Sequence, residues 1–250
     1  SVAAARAGVQ VCHAGLIGDD GQMLLDVCRE NGIDTRFIRA IDGPGGHTII
    51  QIDKNAQNSI LLYPGSNGAL TEDFVDEVLS HFGRGDTLLL QNEVNLLPYI
   101  IDRAHEKGLT IVLNPSPINE TLASCDLSKV SVFFINEIEG GAISGAHDPE
   151  KILDHMLKTY PDARTVLTLG GAGSCFCDAH SRIHQAAFPV SAVDTTAAGD
   201  TFTGYCVYGM LKGLAWAETL ELAARAAALS VTRKGAVPSI PYLEEVLNFT

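Results

Sequence analysis

The sequence has 250 residues, 46% of them hydrophobic, which is enough to bury a full core, and we expect one domain rather than two. Its formal net charge of -13, with no cluster of Lys and Arg, argues against a surface that binds nucleic acid. No apolar run reaches the length of a membrane span and no segment has the pattern of a signal peptide, so we expect neither a membrane protein nor a secreted one.

Short apolar strands alternate with helical stretches along most of the chain, a pattern typical of an α/β fold with a largely parallel sheet. The opening segment SVAAARAGVQV has the composition of an Ala-rich helix, followed by a glycine stop and a strand. Further strands are predicted at 87–91, 110–114, 130–136 and 165–170. Helices are predicted at 71–82, 96–108, 148–160, 200–212 and 216–233, with Thr71 and Asp148 as N-caps and Gly83 and Gly108 as stops.

Residues 36–63 have a different pattern, because β-type runs alternate with turn residues and no helical period is visible. This pattern predicts hairpin-like strands that contribute to a lid over a cleft. No internal repeat or long linker divides the chain. We therefore expect a single domain over residues 1–250 with a small β appendage.

The segment AVDTTAAGDTFTGY, residues 192–205, holds two aspartates on either side of small residues, just before a predicted helix. The N-terminus of a helix has unpaired backbone N–H groups and a partial positive charge, so it attracts anions. Small residues let a phosphate group approach closely. Asp200 would then lie beside that phosphate, as a carboxylate able to take a proton from an attacking hydroxyl.

Taken alone, this segment is equally compatible with Asp200 as a simple N-cap and Gly199 as a turn residue. The chain has no GxxxxGK followed by Ser or Thr, which excludes a P-loop. TLGGAGS, at 168–174, lacks the spacing of a dinucleotide-binding loop. The histidines have no HExxH spacing and the six cysteines have no CxxC spacing, so we expect that they bind no catalytic metal. We expect the cysteines to be free thiols that pack in the core. A chain of this length needs no disulfides, which favours a cytoplasmic location.

VDTTAAGDTFTGY resembles the C-terminal signature of the ribokinase-like family of carbohydrate kinases, the phosphofructokinase B type, whose pattern is roughly DTxxAGDxF. LLLQNEVN, TIVLNPSPI, FINEIEGGAISG, TVLTLGGAGS and AAALSVTRKGAVPSIP resemble other segments of the family, in the same order. The resemblance covers nearly the whole chain. It implies an α/β three-layer sandwich with a mainly parallel central sheet and a small β lid, and an enzyme that transfers a phosphoryl group from ATP to a sugar hydroxyl.

The resemblance gives the catalytic residues their expected roles. Asp200 is the general base for the sugar hydroxyl and also binds the sugar, together with Glu93 at the end of a predicted strand. The backbone N–H groups of Ala197, Ala198 and Gly199 form the anion hole for the phosphoryl group in transfer.

Asp194 corresponds to a residue that helps to hold a monovalent cation, usually K+, beside the anion hole. The matching positions for the rest of this site are Thr196, Ser230, Arg233, Gly235 and Ser239. Hard oxygen ligands suit such a cation. The alternative is that Asp194 only caps a turn.

The nucleotide site is expected along three further segments. NEIE resembles the family's NxxE motif, which places Asn136 and Glu139 near the ATP phosphates, with Glu139 reaching Mg2+ through water. Thr168, Gly170 and Gly173 match the nucleotide loop, and Ala236 flanks the adenine. Without the resemblance, Glu139 would be interpreted as a solvated carboxylate on a helix.

VTRKGAVPS is most similar to family members that phosphorylate ribose, which favours ribose over fructose, ketodeoxygluconate or a nucleoside. The family's first strand and its GGKGxNQ segment, which contact the sugar, have no counterpart here, so we expect that an N-terminal segment is missing and that the lid is incomplete. This leaves open a non-catalytic relative that binds nucleotide or sugar; a Rossmann oxidoreductase shares only the α/β pattern. The expected partners are ATP, a sugar and a second copy of the chain.

Overall fold

The structure is a computed structural model that describes residues 1–52 and 58–249. The helices are α1 (Val2–Arg6), α2 (Gln22–Glu30), α3 (Glu72–Ser80), α4 (Leu97–Glu106), α5 (Glu120–Ala123), α6 (Glu137–Ser144), α7 (Pro149–Thr159), α8 (Ala198–Leu211), α9 (Trp216–Val231) and α10 (Leu243–Leu247). The strands are β1 (Cys12–Ile17), β2 (Asp34–Ala40), β3 (His47–Ile52), β4 (Asn58–Tyr63), β5 (Thr87–Gln91), β6 (Thr110–Asn114), β7 (Val132–Asn136), β8 (Arg164–Thr168), β9 (Ser174–Cys177) and β10 (Arg182–Gln185).

A six-stranded sheet forms the centre of the molecule, in the order β10-β9-β8-β7-β6-β5. Strands β5 to β8 are parallel, and β9 and β10 are antiparallel to their neighbours. Gln91 pairs with Asn114, and Asn136 pairs with Thr168, so polar residues end neighbouring parallel strands at one edge. Ligands of open α/β sheets bind outside this carboxyl edge, which is where the expected site residues lie.

Helices cover both faces of this sheet because residues on its central strands alternate between two apolar cores. Ile111, Leu113 and Phe133 pack into the core that also holds the buried side chains of α3, α4 and α7. Val112 and Phe134 pack on the opposite face, against α8 and α9. The architecture is therefore a helix–sheet–helix sandwich, as the alternation of strands and helices predicts.

The N-terminal region adds two smaller sheets. Strands β1 and β2 pair in parallel, and α2 connects them. The pattern of residues 36–63 is therefore a hairpin only in its second part, where β3 and β4 pair antiparallel. Residues 36–40 instead belong to β2, which runs parallel to β1. The pairing is parallel because α2 carries the chain back to the end of the sheet at which β1 begins.

The predicted elements agree with the structure to within a few residues at their ends. Thr71 and Asp148 accept hydrogen bonds from backbone N–H groups in the first turns of α3 and α7, as N-caps do. Gly108 has the positive φ of a helix stop, whereas Gly83 lies beyond the end of α3 at His81. Within the described residues, no helix is both long and apolar enough to cross a membrane.

The cysteines are free thiols in the structure. Cys175 and Cys177, two residues apart on β9, are both buried in the core. Burial raises the pKa of the Cys177 thiol to about 11, which keeps it protonated near neutral pH. Both residues have the packing role that their spacing on a strand predicts.

Candidate active site

Helix α8 begins with an unusual backbone conformation at its N-cap. Ala197 has φ of 60°, in the left-handed region, and no side chain caps the helix. In the described part of the chain, the backbone N–H groups of Ala197, Gly199 and Asp200 have no hydrogen-bond acceptor. Free N–H groups beside a strained residue are typical of an anion-binding helix start.

The free donors differ in one respect from the expected set. The N–H group of Ala198 donates to the carbonyl oxygen of Thr195 at 3.2 Å, because the left-handed Ala197 closes a tight turn. Gly199 and Asp200 therefore supply the free donors of the first helical turn, together with Ala197 before it. No atom lies within 4 Å of the position that a Cβ on Gly199 would take, so the space above this turn is open.

Replacing Ala197 by Gly should raise the free energy of unfolding by about 1 kcal/mol, because an L-residue in the left-handed region is strained and glycine is not. Urea denaturation measures the change. The control is Ala227→Gly inside α9, which should lower the same free energy by roughly 0.5–1 kcal/mol. A loss of stability in both variants would mean that Ala197 carries no strain.

Glu93 lies near enough to Asp200 for the two carboxylates to interact electrostatically. It follows β5 by two residues and remains accessible to solvent. Partial enclosure of its carboxyl group, with a smaller effect of the negative charge of Asp200, raises the pKa of Glu93. The structure thus brings together the two carboxylates expected on the sugar side, one from the end of β5 and one from the start of α8.

The carboxylate of Asp194 connects the segment before α8 to the loop after α9. Its Oδ1 accepts hydrogen bonds from the hydroxyl and the backbone N–H of Thr196, at 2.7 and 2.9 Å. Its Oδ2 accepts a hydrogen bond from the N–H of Gly235 at 2.9 Å. These hydrogen bonds, with that of the Thr196 hydroxyl the strongest influence, lower the pKa of Asp194 to about 2. Asp194 caps a turn and also holds the distant loop.

Replacing Asp194 by Asn should lower stability at neutral pH and have less effect in acid. A carboxyl whose folded-state pKa lies below its unfolded value stabilises the fold above about pH 4, and this contribution is lost as the pH falls towards 2. The difference in the free energy of unfolding between wild type and variant, measured by urea denaturation, should therefore be smaller at pH 3 than at pH 7. The exposed Asp162, replaced by Asn, is the control; a constant difference for Asp194→Asn at both pH values would contradict this linkage.

The other residues expected around the cation lie in the same region. The hydroxyls of Ser230 and Ser239 are buried and donate to the carbonyl oxygens of Ala227 and Ala236. Each hydroxyl oxygen therefore keeps lone pairs for a further contact. The guanidinium of Arg233 forms an ion pair with Glu245, so only the backbone of Arg233 is left for a ligand.

Glu139 is buried, with 5% of its surface exposed, so its interpretation as a solvated helix carboxylate is wrong. It forms a capping box at the start of α6, in which Asn136 is the N-cap. Its Oε2 accepts hydrogen bonds from the N–H of Asn136 and, at 3.4 Å, from the side-chain amide of Asn114. Asn114 ends β6, and the sequence alone gave no indication of this contact. The carboxylate is held rigidly at the carboxyl edge of the sheet.

The expected nucleotide loop follows β8. The hydroxyl of Thr168 lies 3.4 Å from the carbonyl oxygen of Ile135, and Gly170 and Gly173 both have positive φ. A Cβ on Gly173 would lie 2.0 Å from the carbonyl oxygen of Gln185, so this position requires glycine. The exposed Ala236 lies in the loop after α9.

The described residues contain no cluster of three or more His, Cys, Asp or Glu side chains that could hold a metal ion. A cation at the carboxyl edge would instead be bound by single carboxylates, hydroxyls, backbone carbonyls and water.

The chain is similar to carbohydrate kinases over nearly its whole length. Residues 1–243 match the pfkB family of carbohydrate kinases. The chain is 35% identical to ribokinase from Haemophilus influenzae, over 100% of this chain and 84% of that protein, and 30% identical to ribokinase from Bacillus subtilis, over 98% and 83%.

Two solved structures of ribokinases have the same fold as this chain. The structure from Arabidopsis thaliana, complexed with ribose and ATP, matches with a TM-score of 0.84 and 25% identity, over 99% of this chain and 84% of that one. The structure from Cryptococcus neoformans, in complex with ADP, matches with a TM-score of 0.85 and 28% identity, over 99% and 85%. The expected ribokinase-like sandwich is confirmed. The chain belongs to the pfkB family of carbohydrate kinases and is a sugar kinase of the ribokinase type.

Proposed function

We propose that the protein transfers the γ-phosphoryl group of ATP to the primary hydroxyl of ribose, giving ribose 5-phosphate and ADP. The observation that carries this proposal is the position of Asp200 beside free backbone N–H groups at the start of α8. The curated relatives named ribokinase support ribose as the sugar.

In the proposed reaction, the sugar hydroxyl attacks the γ-phosphorus while Asp200 takes its proton. The bond between the γ-phosphorus and the β–γ bridging oxygen breaks, and ADP leaves. The free N–H groups at Ala197, Gly199 and Asp200 stabilise the negative charge that develops on the phosphoryl oxygens. Glu93 lies on the same side as Asp200 and binds sugar hydroxyls.

The proposed nucleotide site extends along the carboxyl edge of the sheet. Thr168, Gly170 and Gly173 bind the phosphates and ribose of ATP, and Ala236 contacts the adenine. Asn136 and Glu139 lie near the phosphates, where Glu139 would bind Mg2+ through water. The rigid hydrogen bonding of the Glu139 carboxylate supports this role, since Mg2+ retains several waters and binds few protein carboxylates.

A K+ site is proposed between Asp194 and the loop after α9. Asp194 and the hydroxyl oxygens of Thr196, Ser230 and Ser239 provide hard oxygen donors, and the backbone carbonyls of Arg233 and Gly235 complete the set. The hydrogen bond between Asp194 and Gly235 supports this arrangement because it brings the two segments together. The positive charge of the cation would help to hold an anion at the start of α8.

The test is ADP release in Mg2+ and K+ with ribose, fructose, ketodeoxygluconate and nucleosides as acceptors. We expect release that depends on the acceptor and is greatest with ribose. Preference for another acceptor would overturn the choice of ribose. Nucleotide binding by folded protein, without ADP release from any acceptor, would indicate the non-catalytic alternative.

A homodimer is proposed through the hairpin of β3 and β4. Three of its apolar side chains share one face and are about half exposed: Ile49, Leu61 and Tyr63. An exposed apolar patch of this kind often marks a surface at which proteins associate. Sedimentation equilibrium of the unchanged protein and of Leu61→Lys should give a dimer and a monomer, respectively; a monomer in both cases would contradict the proposal.

A further inference from the structure

Arg6, the last residue of α1, binds the loop that follows α9. Its Nη1 donates to the carbonyl oxygens of Val237 and Ile240, at 2.7 and 2.6 Å. These residues lie at the first position of a short turn and just after its end. One guanidinium thus holds both ends of a turn more than 230 positions away in the chain.

The guanidinium is itself held in place from two sides. Its Nε donates to Oδ1 of Asn31 at 2.7 Å, and its plane lies over the ring of Tyr242, with the central carbon 4.8 Å from the ring centre. No carboxylate lies within ion-pair distance of Arg6 in residues 1–52 and 58–249. All its hydrogen bonds therefore go to neutral oxygens, and the two at the loop fix backbone carbonyls.

The loop that Arg6 holds is directly connected to the start of α8. Gly235, two residues before Val237, donates its N–H to Asp194. Asp194 in turn accepts two hydrogen bonds from Thr196, which precedes the left-handed Ala197. A continuous path of hydrogen bonds and peptide links runs from Arg6 to the free N–H groups.

We propose that Arg6 is a positioning residue for the phosphate and cation end of the site: it sets the position of residues 232–240 and, through Asp194, of the turn at Ala197. This inference rests on the proposed function, because it assigns the path to nucleotide binding. Arg6 touches neither substrate nor cation. Its loss shifts the loop carbonyls and loosens the turn that presents the N–H groups.

Arg225 provides a closely matched control. It lies in α9, its Nη1 donates to a backbone carbonyl, that of Phe249, at 2.8 Å, and its guanidinium lies over the ring of Phe188. Its second contact is an ion pair with Glu221 on the same helix. Arg225→Gln therefore removes an arginine–carbonyl contact of the same kind without touching residues 232–240.

The experiment measures how tightly Arg6→Gln, Arg6→Lys and Arg225→Gln bind a fluorescent ATP analogue. The measurement is repeated at increasing K+ concentrations. Arg6→Gln should weaken binding about 10-fold and raise the K+ concentration needed for half-maximal binding, as loss of a residue that orients a ligand site does. Arg6→Lys should recover part of both losses, because Lys retains the charge and can still donate to a carbonyl. Arg225→Gln should change the melting temperature but neither binding parameter.

Equal nucleotide affinity and equal K+ dependence in Arg6→Gln and Arg225→Gln would overturn the inference. If the unchanged protein binds no ATP analogue, the proposed function fails, and a second measurement still tests the path from Arg6. Hydrogen exchange followed by mass spectrometry should show faster exchange of residues 194–200 and 232–240 in Arg6→Gln than in Arg225→Gln. The same exchange at 194–200 in both variants would show that no such path exists.

Discussion

Asp200→Asn is expected to lower kcat by about 100- to 10,000-fold, the usual contribution of a general base, with little change in nucleotide affinity. Asparagine has nearly the same size as aspartate and cannot take the proton of the sugar hydroxyl. The free N–H groups of α8 belong to the backbone, so they remain available for the phosphate. Steady-state ADP release gives kcat, and binding of an ATP analogue gives the affinity.

The substitution also removes a negative charge from the first turn of a helix, which can alter stability through the helix dipole. Asp73→Asn is the matched control, because Asp73 is an exposed aspartate in the first turn of α3. It should leave kcat unchanged. If Asp200→Asn had the same kcat as Asp73→Asn, Asp200 would not be the general base.

The core of the α/β sandwich could be predicted from the sequence because its elements have strong local patterns. The strands ending at Asn114 and Asn136 are short apolar runs buried on both faces, the edge strand ending at Gln91 is an apolar run of intermediate burial, and the helices between them have one apolar side. The parallel pairing of β2 with β1 was not predicted, because both strands have mixed burial and they are distant in sequence. Local composition carries little information about such a pairing.

The same distinction applies to the candidate site. The contacts of Asp194 with Thr196 and of Asn136 with Glu139 span two or three residues, so a motif in the sequence can indicate them. The contact of Asn114 with Glu139 spans 25 residues, and no pattern of residue types indicates it. The left-handed conformation of Ala197 was also unpredicted, since alanine is normally found at negative φ.

Helix α8 contacts α1 at a point where only glycine fits. A Cβ on Gly204 would lie 2.5 Å from the Cβ of Ala3 and 2.7 Å from the backbone nitrogen of Ala4. Both alanines are buried, so α1 has no flexible side chain there to move aside. The extra methyl group must therefore push the two helices apart.

Gly204→Ala should lower the free energy of unfolding by about 1–3 kcal/mol, the usual cost of overpacking a core. The general preference of helices for alanine over glycine acts in the opposite direction, by roughly 0.5–1 kcal/mol. Gly199→Ala in the same helix isolates that preference, because nothing lies within 4 Å of its Cβ position, and it should raise stability in urea denaturation.

Equal stabilisation by the two substitutions would mean that α1 does not pack closely on α8 in solution. If Gly204→Ala instead destabilises the protein by displacing α1, Arg6 should also be displaced, because Arg6 is the last residue of α1. Displacing α1 should then increase hydrogen exchange in residues 232–240, because Arg6 holds that loop. If hydrogen exchange in residues 232–240 is faster in Gly204→Ala and unchanged in Gly199→Ala, the packing of α1 is coupled to the phosphate end of the site.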